Sequence, residues 1–268
     1  LVVNTSQTGY QEIATDPSYA GQVVVMTYPL IGNYGRLADE DQSERPWLRG
    51  LIVANATAAV LDDARQLATL LRTNGIPAIA GVDTRALARH LRETGCLRGV
   101  ITVPGVTDPD VAIAMAGAVP RWEDQDFVAQ VSPTAVSETG DDPAAPLVAI
   151  VDFGLKASIV RSLRRRGLRV RVLPHTVAPE QVLAPDVAGV VLSPGPGDPA
   201  RLAGPVALAR AIALDPEVVL YDDDDQLGLF GDVILVHGRP WPVLKVERRK
   251  YRFRILNASV SRSYRWQL

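Results

Sequence analysis

The chain has 268 residues, 47% hydrophobic and 22% charged, a composition that can bury one large core or two ordinary ones. Its 28 basic and 30 acidic residues leave a net charge of −2, so no overall field points to nucleic acid or an anionic membrane. One cysteine excludes an internal disulfide framework and any multi-cysteine zinc site, and His90, His175 and His237 share no ligand spacing.

In chain order, residues 1–53 read as β structure with turns. Gln22 to Tyr28 is a β-branched run closed by Pro29, and Ile31-Gly32-Asn33-Tyr34-Gly35 is a glycine-punctuated loop. Residues 59–73 carry a helical stripe of Val60, Leu61, Leu67, Leu70 and Leu71. Ile76 to Ala80 is expected as a short buried strand. A helix capped by Asp83 or Thr84 then runs through Leu87, His90 and Leu91 to Gly95, and Leu97–Val103 returns to strand. Residues 132–146 are rich in Ser, Thr, Gly, Asp and Pro and read as a linker.

Leu147–Val151 is a continuous apolar run, as a central parallel strand buried on both faces requires. A helix over 155–166, a strand over Val170–Leu173, a short helix over Pro179–Leu183 and a strand over Gly189–Leu192 follow. That alternation predicts a doubly wound α/β sheet. Its third strand ends in Ser193-Pro194-Gly195-Pro196-Gly197-Asp198-Pro199, at the carboxyl edge where such sheets place ligands. Residues 205–214 are an Ala/Leu-rich helix, and Val218–Tyr221 is a strand before Asp222 to Asp225. From Gly231 the pattern is all-β, with Val233–Val236, Val243–Val246 and an alternation of Tyr251, Phe253 and Ile255 against Arg252 and Arg254. Residues 226–268 hold nine basic and two acidic residues, a net of +7, which leaves −9 on the first 225. A break of that size suggests a change of module.

Three groups of residues near the start stand out: Thr8-Gly9-Tyr10-Gln11-Glu12, Thr15-Asp16-Pro17-Ser18-Tyr19-Ala20-Gly21-Gln22 and Thr27-Tyr28-Pro29 through Gly35. With Gly81-Val82-Asp83-Thr84-Arg85, Leu97-Arg98-Gly99-Val100-Ile101, Asp152-Phe153-Gly154 and Gly195-Pro196-Gly197-Asp198-Pro199, they resemble the carbamoyl phosphate synthetase small subunit from residue 1 to about 203. The resemblance implies an α/β chain. Residues 1–131 would be the family's N-terminal β/α domain, 132–146 a linker, and 147–203 an incomplete class I amidotransferase domain of the doubly wound kind. It implies glutamine as substrate, held by Ser18, Gly195 and Gly197, and the large synthetase subunit as partner. Glycine suits those positions, because without Cβ its backbone approaches substrate and offers N–H groups to an oxyanion. Pro194 departs from the asparagine common there and removes a donor.

The family's Cys–His–Glu triad finds no match. No Gly-x-Cys-x-Gly-His elbow follows the Gly-Pro-Gly loop, no His-Pro-Glu exists, and Cys96, the sole thiol, falls in the N-terminal part, where a small buried hydrophobe is expected. No catalytic residue, metal or cofactor is therefore assigned.

Leu208 to Asp222 resembles the helix and Walker B strand of ABC-transporter ATPases, placing such a fragment at 204–225. Asp223 replaces the catalytic glutamate, and no phosphate-binding loop exists. The aspartate run reads as a solvated acidic loop. Gly231 to Ser259 resembles a cupredoxin segment of multicopper oxidases, giving a β-rich tail at 226–268, without the His-x-His copper pairs. Its arginines read as a solvated strand face, so neither copper nor nucleic acid is expected. No run of about 18 apolar residues predicts a membrane span, and no leader sequence is seen. Leu1 stands where a methionine would begin a natural chain, and a cytoplasmic setting is expected. The functional expectations are thus an amidotransferase subunit by descent that is inactive as a glutaminase, a non-catalytic module for the large subunit, or a composite chain.

Overall fold

A computed structural model describes residues 1–57, 66–103 and 105–215. The expected helical turns at 59–65 and every feature expected beyond residue 215, including the strand at Val218–Tyr221, the aspartate run, His237 and the β-rich tail, lie outside the described residues.

Two four-stranded sheets organise the chain. In the first, β1 (Val2–Asn4), β2 (Val23–Ile31), β3 (Gly50–Ala56) and β4 (Ala78–Ile79) lie parallel in that order. Side chains alternate across it. Val24, Met26, Leu51 and Val53 face α1 (Tyr10–Thr15) and α2 (Leu67–Thr73), while Val25 and Ile52 face α3 (Thr84–Thr94). Asp83 caps α3 by accepting from the Ala86 N–H at 2.8 Å, and Gly95 ends it with φ 83°, as the sequence indicates.

Several local expectations give way. β2 runs through Pro29 to Ile31, because the register against β3 breaks between Met26 and Leu30 and the proline falls inside that break. β4 keeps two residues of the expected buried strand, exposed or half-buried at the sheet edge. Leu97–Val103 pairs with no strand. Its residues instead close the end of the sheet, where the Leu97 carbonyl accepts from the Leu1 amino group at 2.7 Å. Neither α1 nor α4 (Pro109–Ala118) is among the expected helices; α4 is capped by Asp108 and buries none of its side chains.

The second sheet has the order β5 (Ser137–Thr139), β7 (Arg169–Pro174), β6 (Leu147–Asp152) and β8 (Val187–Leu192), parallel except for β5. β6 is buried along its whole length. Ala149 and Val151 face α7 (Pro179–Val182) and α8 (Ala203–Leu214), and Val148 and Ile150 face α6 (Ala157–Arg165). This is the doubly wound layering expected from the apolar run. The segment read as a linker contributes the antiparallel edge strand β5, tied to β7 through Glu138 with Arg169 and with Arg171 at 2.9 Å. A short helix, α5 (Val128–Val131), precedes it. α8 sends Leu208 and Ile212, one turn apart, into the core beside Val182 and Leu173, so the helix completes this sheet. Among the described residues, no helix is long and apolar enough to cross a membrane.

Candidate functional site

The site is built where three turns meet. The first is set by Asp16, whose carboxylate accepts from the Ser18 N–H at 2.8 Å and caps the single turn Pro17–Tyr19. Ser18 is half-buried, its carbonyl accepts from Gln22 Nε2 at 3.1 Å, and its hydroxyl bonds to no described residue. The turn is anchored from below by Tyr19, whose burial pushes its phenol up to about 12.

The second turn leaves the carboxyl end of β6. Asp152 accepts from the N–H groups of Gly154 and Leu155, both at 2.7 Å. Burial raises the Asp152 carboxyl above its ordinary value, with these two bonds and the His175 side chain pulling the other way. The third turn leaves β8. The buried Ser193 hydroxyl accepts from the Phe153 N–H at 2.9 Å and donates to the Pro194 carbonyl at 2.8 Å, pinning the second and third turns together.

Contact at this junction is close enough to demand glycine. A Cβ on Gly195 would lie 2.0 Å from the Phe153 carbonyl oxygen. One on Gly154, where φ is 139°, would lie 2.9 Å from both Gly195 Cα and Pro196 Cδ and 3.4 Å from Pro17 Cβ. Pro17 thus brings the first turn, with Ser18, against the glycine turns of the other sheet. Of the residues singled out from the sequence, Gly195 lies in this junction, and Ser18 follows the Pro17 that packs against Gly154. Gly197, with φ 99°, follows two residues on, with the Gln125 carbonyl as its near neighbour. The N–H groups of Gly195 and Gly197 donate to no described residue. Unpaired N–H groups at a carboxyl sheet edge are suited to accepting a carbonyl or carboxylate oxygen. A cleft of about 360 Å³ opens beside the junction, lined by Glu12, Asp16, Tyr19, Gln42, Lys156 and Ser158.

Sequence reasoning missed the residue that joins the two halves. Gln42, buried in the first sheet's loops, accepts through its carbonyl from the Ala157 N–H at 2.8 Å and through Oε1 from the Ser158 N–H at 3.2 Å. α6 has no capping side chain of its own, so Gln42 supplies one from another part of the chain. Arg161 adds a bond to the Asp41 carbonyl at 3.0 Å. The Thr8–Gln11 motif also gains a physical meaning: Tyr10 stacks on Tyr34 at 4.1 Å, and Gln11 accepts from the Leu37 N–H at 2.9 Å. Both contacts order the loop that carries Gln42. No signal in the local pattern marks these partners.

Cys96 is exposed rather than buried, just past α3 and beside the Leu1 amino group. His90 lies exposed on α3. His175 follows β7, where its N–H donates to Ser132 Oγ at 2.9 Å and its buried Nδ1 has no described partner. No group of three or more potential metal ligands occurs among the described residues.

The fold and this junction define a small parallel α/β domain joined to a class I amidotransferase sheet. Comparison with known families agrees. Residues 1–101 match the carbamoyl-phosphate synthase small chain CPSase domain, and residues 149–217 match class-I glutamine amidotransferase. The second match runs past residue 203, where the resemblance was expected to stop, and takes in α8.

The homologues of the chain are carbamoyl phosphate synthase small chains. That of Symbiobacterium thermophilum is 41% identical over 82% of this chain and 62% of its own length. That of Chlorobaculum tepidum is 41% identical over 80% and 58%, and that of Methanopyrus kandleri 37% identical over 79% and 60%. The chain therefore spans about three-fifths of the length of these relatives.

Proposed function

We propose that the chain descends from the glutamine-hydrolysing small subunit of carbamoyl phosphate synthase and carries one part of its glutamine site without the nucleophile. Ser18 would meet the substrate with its hydroxyl, and Gly195 and Gly197 with their N–H groups. The observation that supports this reading is the contact of Pro17, the residue before Ser18, with the Gly154–Gly195 junction, whose Gly195 N–H donates to no described residue. Such groups stabilise charge on an oxygen but do not begin an attack. Class I amidotransfer needs a thiolate beside a histidine that a carboxylate orients. Cys96 is the sole thiol and lies past α3, among the first sheet's elements.

This chain accordingly releases no ammonia, and association with the large synthetase subunit is its retained property. By descent it belongs to cytoplasmic carbamoyl phosphate synthesis for arginine and pyrimidines, and needs no cofactor, nucleic acid or membrane. Ammonia release from glutamine should match a no-protein blank, and a glutamine-directed affinity label should leave Cys96 unmodified. Glutamine-dependent ammonia abolished by Cys96→Ser would overturn the inactivity. Failure to co-elute with a large subunit at micromolar concentrations would remove the association.

The charge break, −9 before residue 226 and +7 after it, favours a second reading. In it the chain is composite, with the ABC-ATPase-like and cupredoxin-like fragments joined after the amidotransferase segment. Continuous genomic coverage of one reading frame across residues 195–235 would exclude an assembly artefact.

A further inference from the structure

Away from the glycine junction, burial alternates along the segment that enters β3. Pro46 and Leu48 are buried, while Arg45 and Arg49 are exposed and Trp47 is half-buried. Alternation of this kind puts Arg45, Trp47 and Arg49 on one side of the segment. They form one wall of a cavity of about 220 Å³, closed opposite by the Asn74–Gly75 turn after α2 and by Gln130. At about 30 Å³ per water, the cavity holds about seven waters, or a small polyatomic anion with part of its shell.

Charge at this wall is unbalanced. Among the described residues, no carboxylate lines the cavity and neither Arg45 nor Arg49 forms an ion pair, although Glu44 is next in the chain. The wall is also held in place. The Trp47 indole N–H donates to Ser43 Oγ at 3.0 Å, the Trp47 N–H to the Ala14 carbonyl at 3.0 Å and the Arg49 N–H to the Gln22 carbonyl at 2.7 Å. The Arg45 guanidinium lies 3.8 Å above the centre of the Trp47 ring. Stacking occupies the face of the guanidinium and leaves its in-plane N–H donors available, the arrangement that recognises phosphate or carboxylate.

We propose that this cavity is a binding site for a small oxyanion, with Arg45 and Arg49 supplying the charge and Trp47 fixing the geometry of the first. Phosphate and carboxylate share the required chemistry. The probes are inorganic phosphate and malonate, titrated separately into the full chain by calorimetry, and the tighter of the two identifies the ligand's acid group.

Saturable binding with a Kd of about 1 mM or tighter is expected for at least one probe. Arg49→Gln and Arg45→Gln should each weaken it by about tenfold, the loss of one charged hydrogen-bonded partner. The pair Arg165→Gln and Arg166→Gln, at the exposed end of α6, should leave it unchanged. The unmutated chain gives a second reading: the stronger probe should protect Arg45 and Arg49, and not Arg165, from phenylglyoxal. No saturable binding of either probe, equal losses in both arginine pairs, or absence of selective protection would each overturn the proposal.

Discussion

Replacing Gly195 by alanine tests the junction directly. The added Cβ would lie 2.0 Å from the Phe153 carbonyl oxygen and 2.7 Å from its carbon, where ordinary contact begins at 3.4 Å. One turn must therefore retreat by 3.4 minus 2.0, or 1.4 Å. The neighbour is backbone, and it cannot swing away as a flexible side chain would. Phe153 is held by the Ser193 hydroxyl, and the residues after it by Asp152. Overpacking of this kind costs about 1–3 kcal/mol, against a gain of about 0.4–1 kcal/mol from the stiffer unfolded chain. A net loss of about 1.3 kcal/mol lowers the melting temperature by about 3–5 °C. Gly197→Ala is the control: its Cβ meets nothing closer than the Gln125 carbonyl at 3.9 Å. Its cost is the left-handed backbone alone, about 1–2 kcal/mol before the same offset. Urea unfolding followed by circular dichroism measures both, and comparable m-values license the comparison. A Gly195→Ala chain within about 0.5 kcal/mol of the parent, or more stable than Gly197→Ala, would refute the close approach.

Two further substitutions probe the supports of the site. Gln42→Ala removes the side-chain half of the borrowed cap of α6, the Oε1 that accepts from the Ser158 N–H, and should cost about 1 kcal/mol; amide exchange at Ser158 should quicken while that of Ala157, held by the main-chain carbonyl of residue 42, and that of β6 stay slow. Asp152→Asn tests the buried carboxyl. Because burial raises its folded pKa, the folded chain holds the proton to higher pH than the unfolded one. Its contribution to stability therefore falls as pH rises above about 3.9, until the folded pKa is passed. The stability of Asp152→Asn relative to the parent should accordingly rise with pH through that window, and a flat or falling difference would remove the account.

How much of this was legible depends on whether a segment's structure is decided within the segment. β6 was legible because a strand covered on both faces needs apolar residues at every position, and Leu147–Val151 supplies them. α3 was legible because Asp83 and Gly95 mark its ends. α1 was not, since six residues do not hold a helix alone; it is fixed by Gln11 and Tyr10 reaching loops more than 20 residues away. α4 was missed because its apolar residues form no stripe, and Leu97–Val103 misled because β-branched residues also pack without a partner strand. For the site, the glycine turn at the end of β8 could be read from topology. The approach of Pro17 to that turn could not be read locally, since the bridging contacts of Pro17 and Gln42 join distant parts of the chain.

α8 shows why a short resemblance is a weak guide to where a module ends. Its Ala/Leu-rich sequence resembles the start of a foreign fragment. Yet the face of the second sheet made by Ala149, Val151 and Leu173 needs an apolar cover, and Leu208 and Ile212 provide it. Burying two such side chains contributes about 3–6 kcal/mol, more than any cap or surface pair in the chain supplies. What that cover demands is only apolar residues one turn apart, a requirement that helices of many unrelated families meet. Local likeness to another family is therefore expected of any such helix. The packing against β6 and the class I match extending to residue 217 carry more weight, and they place α8 with the amidotransferase sheet.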